Sequence, residues 1–166
     1  MLDDLLGQAD SLIESGEALL EESRLEEAES ALNQALKLYQ RALQRAMQDR
    51  DLVGQAQAWK GIGRALLLLS RLEEAGPALE AALSMHRQLA IRGEPLVKLL
   101  ASVIEAKQNS ELVFDLALEA ISETQTLPRE NQIVLFRLLE RRFRKLGLLA
   151  WAERCLAHYQ QIALGQ

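Results

Sequence analysis

The six residues Ser23-Arg24-Leu25-Glu26-Glu27-Ala28 recur as Ser70-Arg71-Leu72-Glu73-Glu74-Ala75, an offset of 70 − 23 = 47. A verbatim internal copy constrains a fold more than any average property does. Each copy belongs to one supersecondary unit, and such units bury their apolar faces by stacking. The likeness extends outward from the hexamers. Before the second copy stand Trp59, Ile62, Gly63 and Leu66, and after Ala75 come Leu79 and Ala82. Around the first copy the matches are Leu12, Gly16, Leu19, Ala28, Leu32 and Ala35.

The pattern between these markers is helical. No stretch alternates apolar and polar residues as a half-buried strand would. Hydrophobic residues make up 49 % of the chain but aromatics only 4 %, so the apolar content is mostly Leu and Ala, which favour helices. Nine Gly and three Pro are too few for a turn-rich all-β fold. Breaks near Glu22-Ser23, Gln48-Asp51, Ser70, Gly93-Glu94-Pro95, Gln108-Ser110, Leu127-Pro128 and Gly147 divide the chain into segments 2–22, 24–48, 51–69, 71–91, 95–107, 110–125, 128–146 and 148–163. Short connections make neighbouring helices antiparallel. The expectation is a single all-α domain over 1–166, built from four hairpins at roughly 2–48, 51–92, 95–125 and 128–164.

Gly16 and Gly63 mark the place where the two helices of a hairpin approach too closely for a side chain. Ala28 and Ala75 serve the same purpose from the second helix. The spacing W-x2-[L/I]-G-x2-[L/Y] at Trp59, Ile62, Gly63 and Leu66, followed nine residues on by Ala75, resembles the tetratricopeptide repeat. A 47-residue unit is longer than the usual one and resembles the long-unit branch of that family. Two units carry the pattern in full. The last, with Phe136, Leu139, Phe143, Ala152, Leu156 and Tyr159 at matching offsets, has Glu140 in the glycine slot. The third is placed by "LALEAI" (Leu116 to Ile121) against "PALEAAL" (Pro77 to Leu83), with Ser102 in the glycine slot and Phe114 in the small-residue slot. Pro77 lies inside a second helix and is expected to kink it or delay its start.

The resemblance implies a right-handed array whose first helices line a concave groove. Carried over, the groove positions are Gln57, Lys60, Arg64 and Leu67; Asp10, Ile13, Glu17 and Leu20; Leu96, Leu99 and Val103; and Arg137, Arg141 and Arg144. The last three are spaced i, i+4, i+7 and share one face, as do Lys60 and Arg64. A stripe of cations suits an acidic peptide, and Leu67, Leu96 and Leu99 would take its apolar side chains. The alternative for the basic stripe is a solvated face. Many chaperone-tail receptors of the family use a lysine-and-asparagine clamp; here Ile13 and Glu17 stand in its first-unit positions, so the clamp is not reproduced.

Other chemistries find little support. His86 and His158 have no nucleophile or acid at a catalytic spacing, and His86 is expected to be solvated. Cys155, the one cysteine, shares an apolar face with Trp151 and Tyr159 and reads as a buried, inert thiol. No Cys/His cluster or Glu-x-x-His pair has metal-ligand spacing. The pairs Glu26/Glu27 and Glu73/Glu74 sit at helix starts, where acids suit the dipole. "GIG" (Gly61 to Gly63) lies mid-helix and lacks the Lys-Ser/Thr tail of a phosphate loop. Net charge is −5, unfavourable for nucleic acid, and "RRFRK" (Arg141 to Lys145) would give weak, salt-sensitive binding at most.

The charge is also unevenly distributed. Met1 to Gln34 holds ten acids against Arg24 alone, while Pro128 to Arg154 holds seven cations against Glu130, Glu140 and Glu153. Opposite ends of opposite sign allow head-to-tail pairing. The last segment carries Leu148, Trp151, Cys155 and Tyr159 on an apolar side that one neighbour does not fill, a second route to self-association. The expectation is a cytoplasmic, non-enzymatic protein without cofactor or transmembrane segment, binding proteins as a scaffold, adaptor or assembly factor.

Overall fold

The computed structural model describes residues 1–107 and 111–165. Among them are eight α-helices and no strand: α1 (Leu2–Glu21), α2 (Leu25–Gln48), α3 (Leu52–Leu68), α4 (Leu72–Gln88), α5 (Glu94–Lys107), α6 (Leu112–Gln125), α7 (Arg129–Lys145) and α8 (Leu149–Ala163). The protein is all-α, and its helices pack as consecutive hairpins: α1 with α2, α3 with α4, α5 with α6, α7 with α8. The expected break at Gln108–Ser110 lies outside the described residues. Two compact units emerge, Met1–Leu89 and Ala90–Gln166. In the first, α3 packs on both α1 and α2; in the second, α7 packs on both α5 and α6.

The repeated hexamer is a turn. Ser23 and Ser70 both adopt left-handed backbone, with φ of 60° and 59°. That conformation closes the preceding helix: Ser23 N–H reaches Leu20 O at 3.1 Å and Arg24 N–H reaches Leu19 O at 2.9 Å, and the Ser70 and Arg71 amides do the same to Leu67 and Leu66. Both bonds satisfy carbonyls that a helix end leaves without partners. The following arginine then grips the acid three residues on. Arg24 Nε donates to Glu27 Oε1 at 3.0 Å and Arg71 Nε to Glu74 Oε1 at 2.8 Å, each with a second nitrogen on the other carboxylate oxygen. The last residue of each hexamer, Ala28 or Ala75, is buried against the partner helix. In the α7–α8 turn Gly147 takes the serine's place, with φ of 76°.

Gly16 and Gly63 sit where the spacing puts them. A Cβ on Gly16 would stand 2.6 Å from Leu32 Cδ2, and one on Gly63 would stand 2.4 Å from both Cδ2 and Cγ of Leu79. Leu32 and Leu79 are themselves repeat partners, so the same wedge closes both hairpins. A third glycine joins one hairpin to the next. Gly61 of α3 lies against the ring of Tyr39 from α2, and the Tyr39 hydroxyl donates to Asp10 of α1. One side chain thus touches three helices. Burial, aided by the Asp10 carboxylate, pushes the Tyr39 phenol far above its ordinary pKa.

Pro77 does not delay α4, which starts at Leu72 as α2 starts at Leu25. The proline is exposed, and it lacks the N–H that an interior helical residue would donate one turn back.

In the second unit the register differs from the expected one by a single residue. Ala101, not Ser102, occupies the glycine slot, and Val113, not Phe114, the small-residue slot. With Ala101 under Gly63, an offset of 38, the buried residues Ala58, Gly61, Ile62, Ala65 and Leu66 fall on Leu96, Leu99, Leu100, Val103 and Ile104, all buried. The second helices agree: Ala75, Leu79, Ala82, Leu83 and His86 fall on Val113, Ala117, Ala120, Ile121 and Thr124, again all buried. Phe114 is 51 % exposed.

Candidate interaction surface

A one-residue slip turns a helix by about 100°, and it relocates several expected groove residues. Leu96 and Leu99 are 4 % and 1 % exposed, and Val103 is equally buried. They are core side chains and present nothing to a partner. The positions that match Gln57, Lys60, Arg64 and Leu67 in the corrected register are Pro95, Lys98, Ser102 and Glu105, which are exposed or half-buried. Ile13 is likewise core, at 1 % exposure, and Asp10 is engaged by Tyr39. Gln57 is exposed and Leu67 half-buried on α3.

The cations of these faces mostly meet acids of the same chain. Arg64 on α3 pairs with Glu17 on α1, two positions separated by the repeat length. Lys98 lies 2.7 Å from Glu94, and with Asn131 it holds the Glu94 carboxyl below the ordinary range. Glu105 on α5 receives Arg142 at 3.2 Å and Lys145 at 3.3 Å from α7, and Arg142 also donates to Ser102 Oγ at 3.2 Å. Adjacent first helices are therefore joined in both units by acid–base rungs. No sequence rule pairs residues this far apart, although Glu17 and Arg64 stood at equal repeat positions.

On α7, Arg137, Arg141 and Arg144 are all exposed. Arg144 bonds Glu140 at 2.7 Å, one turn back. Arg137 lies over the Tyr159 ring, 5.4 Å from its centre, where ring and cation attract. Arg141 makes no ion pair among the described residues. These arginines occupy the slots that Ile13, Glu17 and Leu20 fill on α1. Ile13 is buried on α1, whereas the same slots on α3 hold Lys60, Arg64 and Leu67, which are half-buried or exposed.

The expected self-association residues divide. Cys155 is fully buried and cannot form part of an interface; burial, with the Glu140 carboxylate nearby, pushes its thiol up to about 12. Trp151 is half-buried between Phe114 and Phe143, with ring centres 6.1 and 6.2 Å away, and Arg154 lies over its face. Tyr159 is half-buried beneath Arg137, and Leu148 is half-buried at the start of α8. The ring of Phe136, buried on α7, stacks on His158 at 5.1 Å. The apolar side of α8 is thus largely occupied by its own unit, while Leu149 and Leu164 remain exposed.

His86 is buried rather than solvated, at 3 % exposure. Its Nδ1 bonds Ala82 O at 2.9 Å, one turn back, and Thr124 makes the matching bond to Ala120 O in α6. Burial, and the nearby positive charge of Lys60, lower the His86 pKa against the bond to Ala82. Among the described residues no helix is long and apolar enough to cross a membrane, and no group of three or more His, Cys, Asp or Glu side chains could hold a metal ion.

Comparison with models of known protein families finds none that matches this chain, and comparison with curated proteins finds no match either.

Proposed function

We propose that the chain is a tetratricopeptide-like module that binds proteins, acting as a scaffold, adaptor or assembly factor. The observation that carries this reading is the wedge at Gly16–Leu32 and Gly63–Leu79. It closes both hairpins of the first unit in the same way, and the Gly61–Tyr39 contact joins the two, so that side chains on their first helices are pre-positioned. The partner segment is acidic or amphipathic, and the surface that takes it is centred on α7. Arg137 and Arg141 reach its carboxylates, since Arg64, Lys98, Arg142 and Lys145 already meet acids of the chain. Val134, 62 % exposed on α7, supplies an apolar contact.

The test is affinity capture from the native lysate, read by mass spectrometry, with wild type beside Arg137→Glu/Arg141→Glu. A partner retained by the wild type and lost by the double variant, at unchanged far-UV helicity, supports the reading. Equal capture by both removes α7 from the account.

A further inference from the structure

The second helices of the Ala90–Gln166 unit carry apolar side chains where second helices elsewhere carry polar or small ones. With Val113 under Ala75, Phe114 and Leu118 of α6 stand in the places of Gly76 and Glu80 on α4 and, one repeat earlier, of Glu29 and Asn33 on α2. On α8, Ala152 stands under Val113, an offset of 152 − 113 = 39, which puts Glu153 and Ala157 in the same places. Only α6 has large apolar groups there. Phe114 is 51 % and Leu118 47 % exposed, and being one turn apart they share a face. Phe114 also reaches α8, its ring 6.1 Å from that of Trp151. The two second helices thus border one furrow with an aromatic floor.

The charges on its two banks are of opposite sign. Asp115 on α6 and Arg154 on α8 hold equivalent positions in their helices and are both exposed. Neither makes an ion pair among the described residues; Arg154 stands over the Trp151 ring, 5.4 Å from its centre. Two antiparallel steps, α6 to α7 and α7 to α8, leave α6 and α8 running parallel.

We propose that this face docks against the same face of a second copy, across a two-fold axis that passes between Asp115 and Arg154. The axis lays α6 of one molecule on α8 of the other, antiparallel. Asp115 meets the second copy's Arg154, and Arg154 meets the second copy's Asp115, so one pair of residues supplies two ion pairs. Leu118, three residues after Asp115, comes to Trp151, three residues before Arg154, and the two Phe114 rings lie beside the axis. A foreign segment would have to bring a cation and an anion at the separation of two helices; a second copy brings both by symmetry. The ion pairs fix the register, and the apolar side chains supply the burial.

The experiment is sedimentation equilibrium of the purified chain over a range of concentrations. The average mass rises from 18.6 kDa and levels at twice that value, because a two-fold pairing is closed. Leu118→Glu, which installs the residue that α4 carries at the matching place, stays single. Asp115→Arg and Arg154→Asp each raise the dissociation constant about tenfold. Asp115→Arg/Arg154→Asp in one chain restores the pair in reverse and returns the constant to within about threefold of wild type. Each variant keeps its far-UV helicity. A single-chain mass at every concentration, which leaves the furrow to a different protein, overturns the proposal. So does growth beyond two chains, or a double variant no tighter than the single ones. Arg137 and Arg141 are intact in every variant, so this pairing and the partner capture assigned to α7 fail or hold separately.

Discussion

Replacing Gly63 by alanine tests the wedge that organises the first unit, and the structure supplies both sign and size. Alanine is a better helix former than glycine by about 1 kcal/mol, so an exposed site would gain stability. At Gly63 the new methyl would lie 2.4 Å from Leu79 Cδ2 and Cγ and 3.3 Å from the Leu79 backbone nitrogen. Cγ is a branch point close to the backbone and moves little. Overpacking of this kind costs about 1–3 kcal/mol, at the upper end here, and the net effect is a loss of about 1–2 kcal/mol. Leu79→Ala, at a side chain 1 % exposed, loses about 2–5 kcal/mol.

In the double variant the methyl occupies space that Leu79 has vacated. The clash disappears, part of the cavity is filled, and the helix gain remains. Gly63→Ala therefore destabilises the wild type but stabilises Leu79→Ala, with a coupling of about 1–3 kcal/mol. Urea unfolding followed through Trp59, in a Trp151→Phe background, reads the first unit alone. Gly7→Ala, in open space, is the control and gains about 0.5–1 kcal/mol. A Gly63→Ala variant as stable as Gly7→Ala, or strict additivity in the double variant, refutes the wedge.

Two further outcomes follow from local geometry. Ser23→Gly and Ser70→Gly each relieve a left-handed residue carrying a side chain, and after the extra freedom of glycine in the unfolded chain each gains about 0.5–1 kcal/mol, read as a rise in urea midpoint at constant slope. The second outcome concerns His86, whose native pKa is lowered by burial. The unfolded chain takes up a proton near the ordinary 6.5 that the native state resists, so stability is full above that pH and falls as pH drops below it. His86→Thr, borrowing the side chain at the matching place in α6, loses less stability than wild type between about pH 7 and pH 5; parallel curves would contradict the assignment.

The first unit was legible because its markers are written twice. Glycine at positions 16 and 63 and the copied hexamer leave one alignment, and helix ends follow from the turn chemistry of Ser23 and Ser70. The second unit lost its marker. Alanine at 101 does the glycine's work but looks like any other alanine, so the sequence favours a register one residue off, which puts the core side chains Leu96 and Leu99 on the surface. His86 reads as solvated in the sequence, yet its bond to Ala82, one turn back, lets the polar ring sit in the core without a distant partner. The Tyr39–Gly61–Asp10 contact draws on three helices and has no local signature. The rungs Glu17–Arg64 and Glu105–Arg142 arise only once first helices lie side by side, so that Arg64 and Arg142 have acids of the chain as partners that their sequence neighbours do not reveal.

The 47-residue period has a bearing on how such a chain can grow. Splicing a second copy of residues 24–70 after Ser70 would place Gly63 opposite Leu32 at the new junction and opposite Leu79 at the next, each a pairing of the same shape, but would set Arg64 opposite a second Arg64 where Glu17 stands now. Chain length is thus an editable quantity in this architecture, increased by whole hairpins provided one of the two facing arginines is returned to glutamate. The limit is set by the second unit, whose seams are cut to a different length.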